Sequence, residues 1–116
     1  MIKMKELPYP LDALEPYYNR ETLDIHYNVL YKGYVDNTNK AQEKLEKARE
    51  NSDFQNIKWL EKDLSFLGSG VILHELFFEN MGPAVQTSFL QYKTKRPDYI
   101  NAFWNIVNWN EVNKRF

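Results

Sequence analysis

The sequence predicts an all-α protein: a long antiparallel helical hairpin followed by a C-terminal helix. Three observations carry that prediction. Apolar residues recur at steps of three and four on both sides of Asn51-Ser52-Asp53, the period of one face of an α-helix. The tripeptide between the two segments is short and made of residues that prefer caps and turns, so it should return the chain antiparallel. No stretch reads as a strand pair, and no internal repeat or low-complexity tract is present, which leaves helix on helix as the way to build a core.

Each element has its own local reason. Leu7-Pro8-Tyr9-Pro10 contains two prolines, which fix φ and remove amide donors. It should run extended over a surface, with Pro16 prolonging that behaviour. Asn19 can accept from the open amides of a first helical turn, and no Pro or Gly follows until Gly33, so a helix should start there. Leu23, Tyr27, Leu30, Tyr31 and Tyr34 form its stripe, and the spacing of four along His26, Leu30 and Tyr34 sets those three on one line. Lys40 to Arg49 mixes charges with strong helix formers and reads as a solvated helix end, with Glu43 four residues before Lys47.

The second long helix carries Leu60, Leu64, Leu67, Val71, His74 and Phe78 in alternating steps of four and three, the seam of a helix packed lengthwise on another. Gly68, Ser69 and Gly70 lower its helix propensity, which makes sense where a neighbour must come close. Gly82-Pro83 should stop it near Met81. Pro97 can open a third helix with a stripe of Ile100, Phe103, Trp104 and Val107, and Asn110 can cap a last turn from Glu111 to Phe116.

Composition narrows the function classes. A chain of 116 residues, 43% of them hydrophobic, is long enough for one modest core. Seven Phe, eight Tyr and three Trp supply large buried areas with polar handles at their edges. Fifteen basic and sixteen acidic side chains leave a net charge of −1, so neither nucleic acid nor an anionic membrane is expected as a partner. Tyr92 to Arg96 has three positive charges in five residues, too few to imply phosphate binding. No apolar run is long enough to span a bilayer and the first six residues lack a signal-peptide core, so a cytoplasmic location is expected. Without cysteine, any metal would need imidazole, carboxylate or water.

The chemical clue is the pair of histidines, His26 and His74, the only two in the chain. Each falls on the apolar stripe of a different helix. Imidazoles projecting from facing helices are how bundles hold metals, whereas a histidine on an apolar face is also found simply buried and hydrogen-bonded. Spacing alone leaves both readings open, since no His/Asp/Glu signature accompanies the pair.

Two blocks of sequence resemble the iron/manganese superoxide dismutase family. The first contains Leu7-Pro8-Tyr9, Asp12-Ala13-Leu14-Glu15-Pro16, Glu21-Thr22-Leu23-Asp24-Ile25-His26, Tyr34-Val35-Asp36-Asn37 and Gly70-Val71-Ile72-Leu73-His74-Glu75-Leu76-Phe77-Phe78. The second contains Tyr92-Lys93-Thr94-Lys95-Arg96-Pro97-Asp98-Tyr99-Ile100 and Ala102-Phe103-Trp104-Asn105-Ile106-Val107-Asn108-Trp109. The resemblance implies residues 1–82 as the dismutase-like helical hairpin and 83–116 as a remnant of the C-terminal domain, packed as one unit with it. It further implies His26 and His74 as metal ligands, Tyr34 as the hydroxyl at the mouth of the substrate funnel, Fe or Mn as the cofactor if there is one, and one-electron disproportionation of superoxide as the family's reaction.

The same resemblance marks what is missing. The family carries an α/β region with a small sheet between the two blocks, ending in Asp-x-Trp-Glu-His-Ala, which supplies the remaining Asp and His ligands. Here Gly82 stands where that Asp belongs and Gln86 where that His belongs. Phe78 replaces the usual Trp, and Gly70 takes the position of the Gln that holds metal-bound solvent in iron forms. Leu30, Ser88 and Val85 occupy the three positions of the family's dimer bridge. Loss of such tuning partners disturbs the potential of a metal and the acidity of its water. The expectation is therefore a degenerate dismutase-like protein with little or no activity; the alternative is an active enzyme whose site is completed across an oligomer, with carboxylates such as Glu75 or Glu79. Removing a sheet also uncovers helix faces, so a homo-oligomer is expected.

Overall fold

The computed structural model describes residues 1–83, 100–101 and 103–115. Helical structure starts at Arg20, as Asn19 predicts: its side-chain oxygen accepts from the amides of Glu21 at 2.7 Å and Thr22 at 3.3 Å. Helix α1 (Arg20–Asp24) passes without a break into a π-helical segment, Ile25–Tyr31, and then into α2 (Lys32–Glu50). The π segment is what the periodicity does not anticipate. Its wider turn rotates every later residue relative to a pure α-helix. Leu30, placed by spacing on the line of His26 and Tyr34, is consequently 51% exposed, while Leu23 and Tyr31 are buried.

The chain divides into two compact units, Met1–Lys5 with Tyr27–Glu75, and Glu6–His26 with Leu76–Phe116. The first holds the hairpin. Tyr31, Val35, Ala41 and Leu45 are buried along one side of the first arm, and Val71 is buried in α3 (Ile57–Glu79). Leu60, Leu64 and Leu67 are all partly shielded, so the predicted seam is the one that faces inward. The arms run antiparallel, as shown by the Tyr34 ring lying on Gly70 and, towards the turn, an Arg49–Glu61 ion pair of 3.5 Å. Thr38 is buried too, and its hydroxyl donates to the Tyr34 carbonyl at 2.7 Å, which satisfies it inside its own helix. Within Lys40–Arg49, the charged residues point to solvent while Ala41 and Leu45 face in.

The turn closes as predicted. The Asp53 amide donates to the Ala48 carbonyl at 2.8 Å and that of Ser52 to the Arg49 carbonyl at 3.1 Å, with Ser52 at φ 54°, so the last carbonyls of α2 are satisfied by a left-handed cap. The opening residues strap onto the same unit. The Ile2 amide donates to Asn39 Oδ1 at 2.7 Å, and Asn39 Nδ2 donates back to the Ile2 carbonyl at 2.9 Å.

The second unit buries Tyr9, Leu14, Tyr18, Leu23, Phe78, Met81 and Ile106. Pro16 does not prolong an extended strand: residues 10–18 form successive turns, with the amide of Ala13 donating to the Pro10 carbonyl and that of Tyr18 to the Leu14 carbonyl, both at 3.0 Å. Folding back carries Leu14 fully into the core, which outweighs the local preference of proline for extended chain. Tyr9 donates its hydroxyl to the Phe78 carbonyl at 2.8 Å, sealing the last turn of α3. Beyond that turn Met81 makes an isolated antiparallel bridge with Val107, supported by Gly82 N–H to Ile106 O at 2.7 Å and Asn108 N–H to Asn80 O at 2.6 Å.

That bridge changes the C-terminal expectations. Ile106 is buried, whereas Ile100 and Trp104 of the predicted stripe are about half exposed, because the chain turns at residues 105–106 to pair with Met81. The last helix, α4 (Trp109–Arg115), begins two residues earlier than a cap at Asn110 would set it and is capped by Asn108, whose Oδ1 accepts from the Glu111 amide at 3.2 Å. Arg115 joins it to Glu79 and to Glu111. Residues 100–101 and 103–104 of the predicted third helix are helical, and its opening at Pro97 lies outside the described residues. Among the described residues no helix is long and apolar enough to cross a membrane.

Candidate functional site

His74 belongs to the first unit and His26 to the second, and each is held by its own neighbours. His74 Nδ1 lies 2.6 Å from the carbonyl of Gly70, one turn earlier on α3. A carbonyl only accepts, so Nδ1 carries the proton and the lone pair of the neutral ring sits on Nε2. A backbone bond that sets the tautomer in this way is the usual preparation of a histidine for a metal. The ring stacks on Tyr31, centroids 5.9 Å apart and planes within 22°, and tilts against Tyr34 at 5.0 Å.

His26 sits in the π-helical segment. Its Nδ1 is 3.0 Å from the Tyr18 hydroxyl, and its ring is flanked by Phe77 at 4.9 Å and Phe78 at 5.1 Å. Phe78 therefore does in this unit what a larger aromatic at that position would do, walling the imidazole with an apolar ring. Neither histidine is simply on a polar face; both are half-buried among aromatics.

Gly70 explains the placement of Tyr34. A Cβ built there would lie 2.4 Å from two carbons of the Tyr34 ring, far inside van der Waals contact. The glycine thus gives the tyrosine its room, and the propensity cost noted in the sequence is the cost of that close approach. A larger side chain cannot stand at this position while the ring stays where it is.

The donor set around these histidines is short of what the resemblance implies. Gly82 contributes only backbone, with its N–H committed to Ile106, and Gln86, Val85 and Ser88 lie outside the described residues. Glu75 is held by Lys5 Nζ at 3.0 Å and by the Tyr31 hydroxyl, which donates to it at 3.0 Å; Glu79 is held by Arg115. Among the described residues no group of three or more His, Cys, Asp or Glu could hold a metal ion. The described residues do not supply a four-donor centre.

A tyrosine network that spacing did not reveal surrounds His74. Tyr31 accepts from the Lys5 amide at 3.0 Å while Tyr27 donates to the Lys5 carbonyl at 2.7 Å. Only an apolar stripe position marked Tyr31 in advance. Burial raises its pKa, the Lys5 amide lowers it and Glu75 raises it, with a net upward shift; burial, followed by Tyr18, also raises that of Tyr9. Both phenols hold their protons more tightly folded than unfolded. Their contribution to stability is complete below the ordinary tyrosine value of about 10 and is lost as pH rises through the folded-state values. Melting temperature is expected to fall above pH of about 10 and to fall less steeply in Tyr9→Phe. Equal slopes for the two proteins in thermal melts would refute this account.

Comparison with known proteins gives these features a common context. Residues 2–82 match the family model described as iron/manganese superoxide dismutases, alpha-hairpin domain, and residues 86–115 match that of the C-terminal domain. The chain is 30% identical to a superoxide dismutase [Fe] of Methanothermobacter marburgensis, the alignment covering 98% of this chain and 95% of the relative. It is 27% identical to a superoxide dismutase [Mn/Fe] of Propionibacterium freudenreichii, covering 97% and 95%, and 26% identical to a mitochondrial superoxide dismutase [Mn] of Drosophila melanogaster, covering 97% and 87%. The first alignment runs over 192 residues although this chain has 116. With both ends covered, the residues without a counterpart here are internal to the relative.

Proposed function

We propose, because this chain belongs to the iron/manganese superoxide dismutase family, that it is an internally shortened member that disproportionates superoxide little or not at all. The observation that carries the reading is the donor count. The chain has two histidines in all, so a third imidazole cannot come from it, and Gly82 offers no side chain where the resemblance implies a carboxylate. His26 and His74 are then remnants of the family's ligands for Fe or Mn, and Tyr34 of its funnel hydroxyl. Two neutral donors hold a divalent ion loosely, and without partners for bound solvent its potential is not tuned. The same reading includes a cytoplasmic location and self-association.

One observation favours a second reading. His74 has its Nδ1 bonded to a backbone carbonyl, the state of an imidazole ready to ligate, which suits a site completed by another chain. Elemental analysis of protein purified without added metal, paired with stopped-flow superoxide decay, separates the two. We expect substoichiometric Fe and Mn and decay no faster than in a metal-chelated control. Stoichiometric metal with rapid turnover would overturn the degenerate reading in favour of the completed one.

A further inference from the structure

We propose that the side of the hairpin beneath the opening strap is a binding site for an extended peptide in which apolar and basic residues alternate. Met1–Lys5 is its resident occupant, and a segment of another protein with the same alternation displaces it. The strap is held as a ligand would be. Asn39 gives both halves of its side-chain amide to one residue: Oδ1 accepts from the Ile2 amide at 2.7 Å, and Nδ2 donates to the Ile2 carbonyl at 2.9 Å. A neighbouring β-strand offers a residue the same pair of bonds. Two phenols repeat the arrangement at Lys5, where the Tyr31 hydroxyl accepts from the amide at 3.0 Å and the Tyr27 hydroxyl donates to the carbonyl at 2.7 Å. All four bonds go to backbone, so none depends on the side chains of the strap.

Side chains supply the selectivity. Along the strap Ile2 and Met4 are half-buried while Met1, Lys3 and Lys5 are exposed, the period of two of an extended segment lying on a surface. Lys5 reaches Glu75 with its Nζ at 3.0 Å, and that carboxylate is only 16% exposed, so the site calls for a cation at this place. The spacing agrees. Asn39 and Tyr31 stand eight residues apart on the first arm, about 12 Å along the helix, and the three steps from Ile2 to Lys5 span about 10 Å when extended. The strap is therefore nearly taut and runs opposite to α2. Main-chain bonds for affinity and alternate side chains for specificity are how a strand is recognised at a sheet edge; here Asn39, Tyr27 and Tyr31 stand in for the edge. From Glu6 the chain belongs to the other unit, so only Met1–Lys5 has to leave for the site to open. The site is built whether or not His26 and His74 hold metal.

In the full chain, Ile2→Asp combined with Met4→Asp should weaken the strap and open the site. The probe is a synthetic peptide of the strap sequence, amidated and carrying fluorescein at its C-terminal end. By anisotropy it should bind the opened variant with a Kd of about 0.1 mM, and the native chain about tenfold more weakly, because the site is occupied there. Adding Asn39→Asp to the opened variant removes the donor and sets a carboxylate against the peptide carbonyl, which should weaken binding about tenfold. A peptide of the same composition with the alternation scrambled should also bind about tenfold more weakly. On the native chain, excess peptide at about millimolar concentration should accelerate exchange of the Ile2 and Lys5 amides followed by NMR, since a tethered strap competes at a similar effective concentration. Absence of binding to the opened variant with far-UV circular dichroism unchanged, or equal binding to opened and native chains, would overturn the proposal. So would equal binding of the scrambled peptide, indifference to Asn39→Asp, or native amide exchange unmoved by peptide.

Discussion

Replacing Tyr31 with alanine is expected to destabilise the protein by about 3–5 kcal/mol, the cost of emptying the space of a large buried aromatic. Tyr31 is 1% exposed and does two jobs. Its ring packs inside the hairpin unit against His74, and its hydroxyl joins the Lys5 amide to the Glu75 carboxylate. Truncation leaves a cavity, a half-buried carboxylate with one partner fewer and a strap with one tether fewer. Tyr31→Phe separates these contributions: it keeps the ring and should cost about 1–3 kcal/mol from the unmet polar groups alone. For a chain whose total stability is on the order of 5–15 kcal/mol, the alanine variant should be partly unfolded at 37 °C. Urea titrations followed by circular dichroism would measure both variants, and an unchanged midpoint for Tyr31→Ala would remove Tyr31 from the core.

The second large effect is at Gly70, where two opposing contributions can be weighed. Glutamine is a better helix residue than glycine by about 0.5–1 kcal/mol, which taken alone would stabilise α3. Its Cβ, however, would meet Tyr34 ring carbons at 2.4 Å, and displacing that ring from His74 and Phe66 carries an overpacking cost of about 1–3 kcal/mol. Gly70→Gln should therefore be destabilising in the native background. In a Tyr34→Ala background the clash is gone and the same substitution should be neutral or stabilising. This reversal of sign is the expected result of a double-mutant cycle, with a coupling of about 1–3 kcal/mol. Additive effects of the two changes would show that the ring and the glycine do not share their space.

Several elements could be read directly from residue order. Asn19 as a cap, the Asn51-Ser52-Asp53 turn and the inward seam from Leu60 to Phe78 each depend on side chains within a few positions of one another, and local rules suffice for them. His26, Tyr34 and His74 stand out in the sequence by residue type and position, and the roles proposed for them come from resemblance and not from spacing. The failures have two causes. Leu30 was misplaced because a π-helical segment changes the pitch, and pitch is not encoded by apolar period. Ile106 and the Asn108 cap were missed because the Met81–Val107 bridge ends a helix by pairing with residues about 25 positions away.

By itself the sequence determined that the chain is helical, where its hairpin turns, that it derives from the dismutase family, and that two histidines are all the imidazole it has. These follow from period, capping chemistry and residue identity, which need no knowledge of distant neighbours. Only the tertiary structure decided that Gly70 exists to admit the Tyr34 ring, that Glu75 and Glu79 are already bound to cations, and that Tyr31 ties the opening strap to α3 beside His74. Those facts depend on which side chains meet across separate segments, and packing settles them because two groups cannot fill one space and a buried polar atom must find a partner.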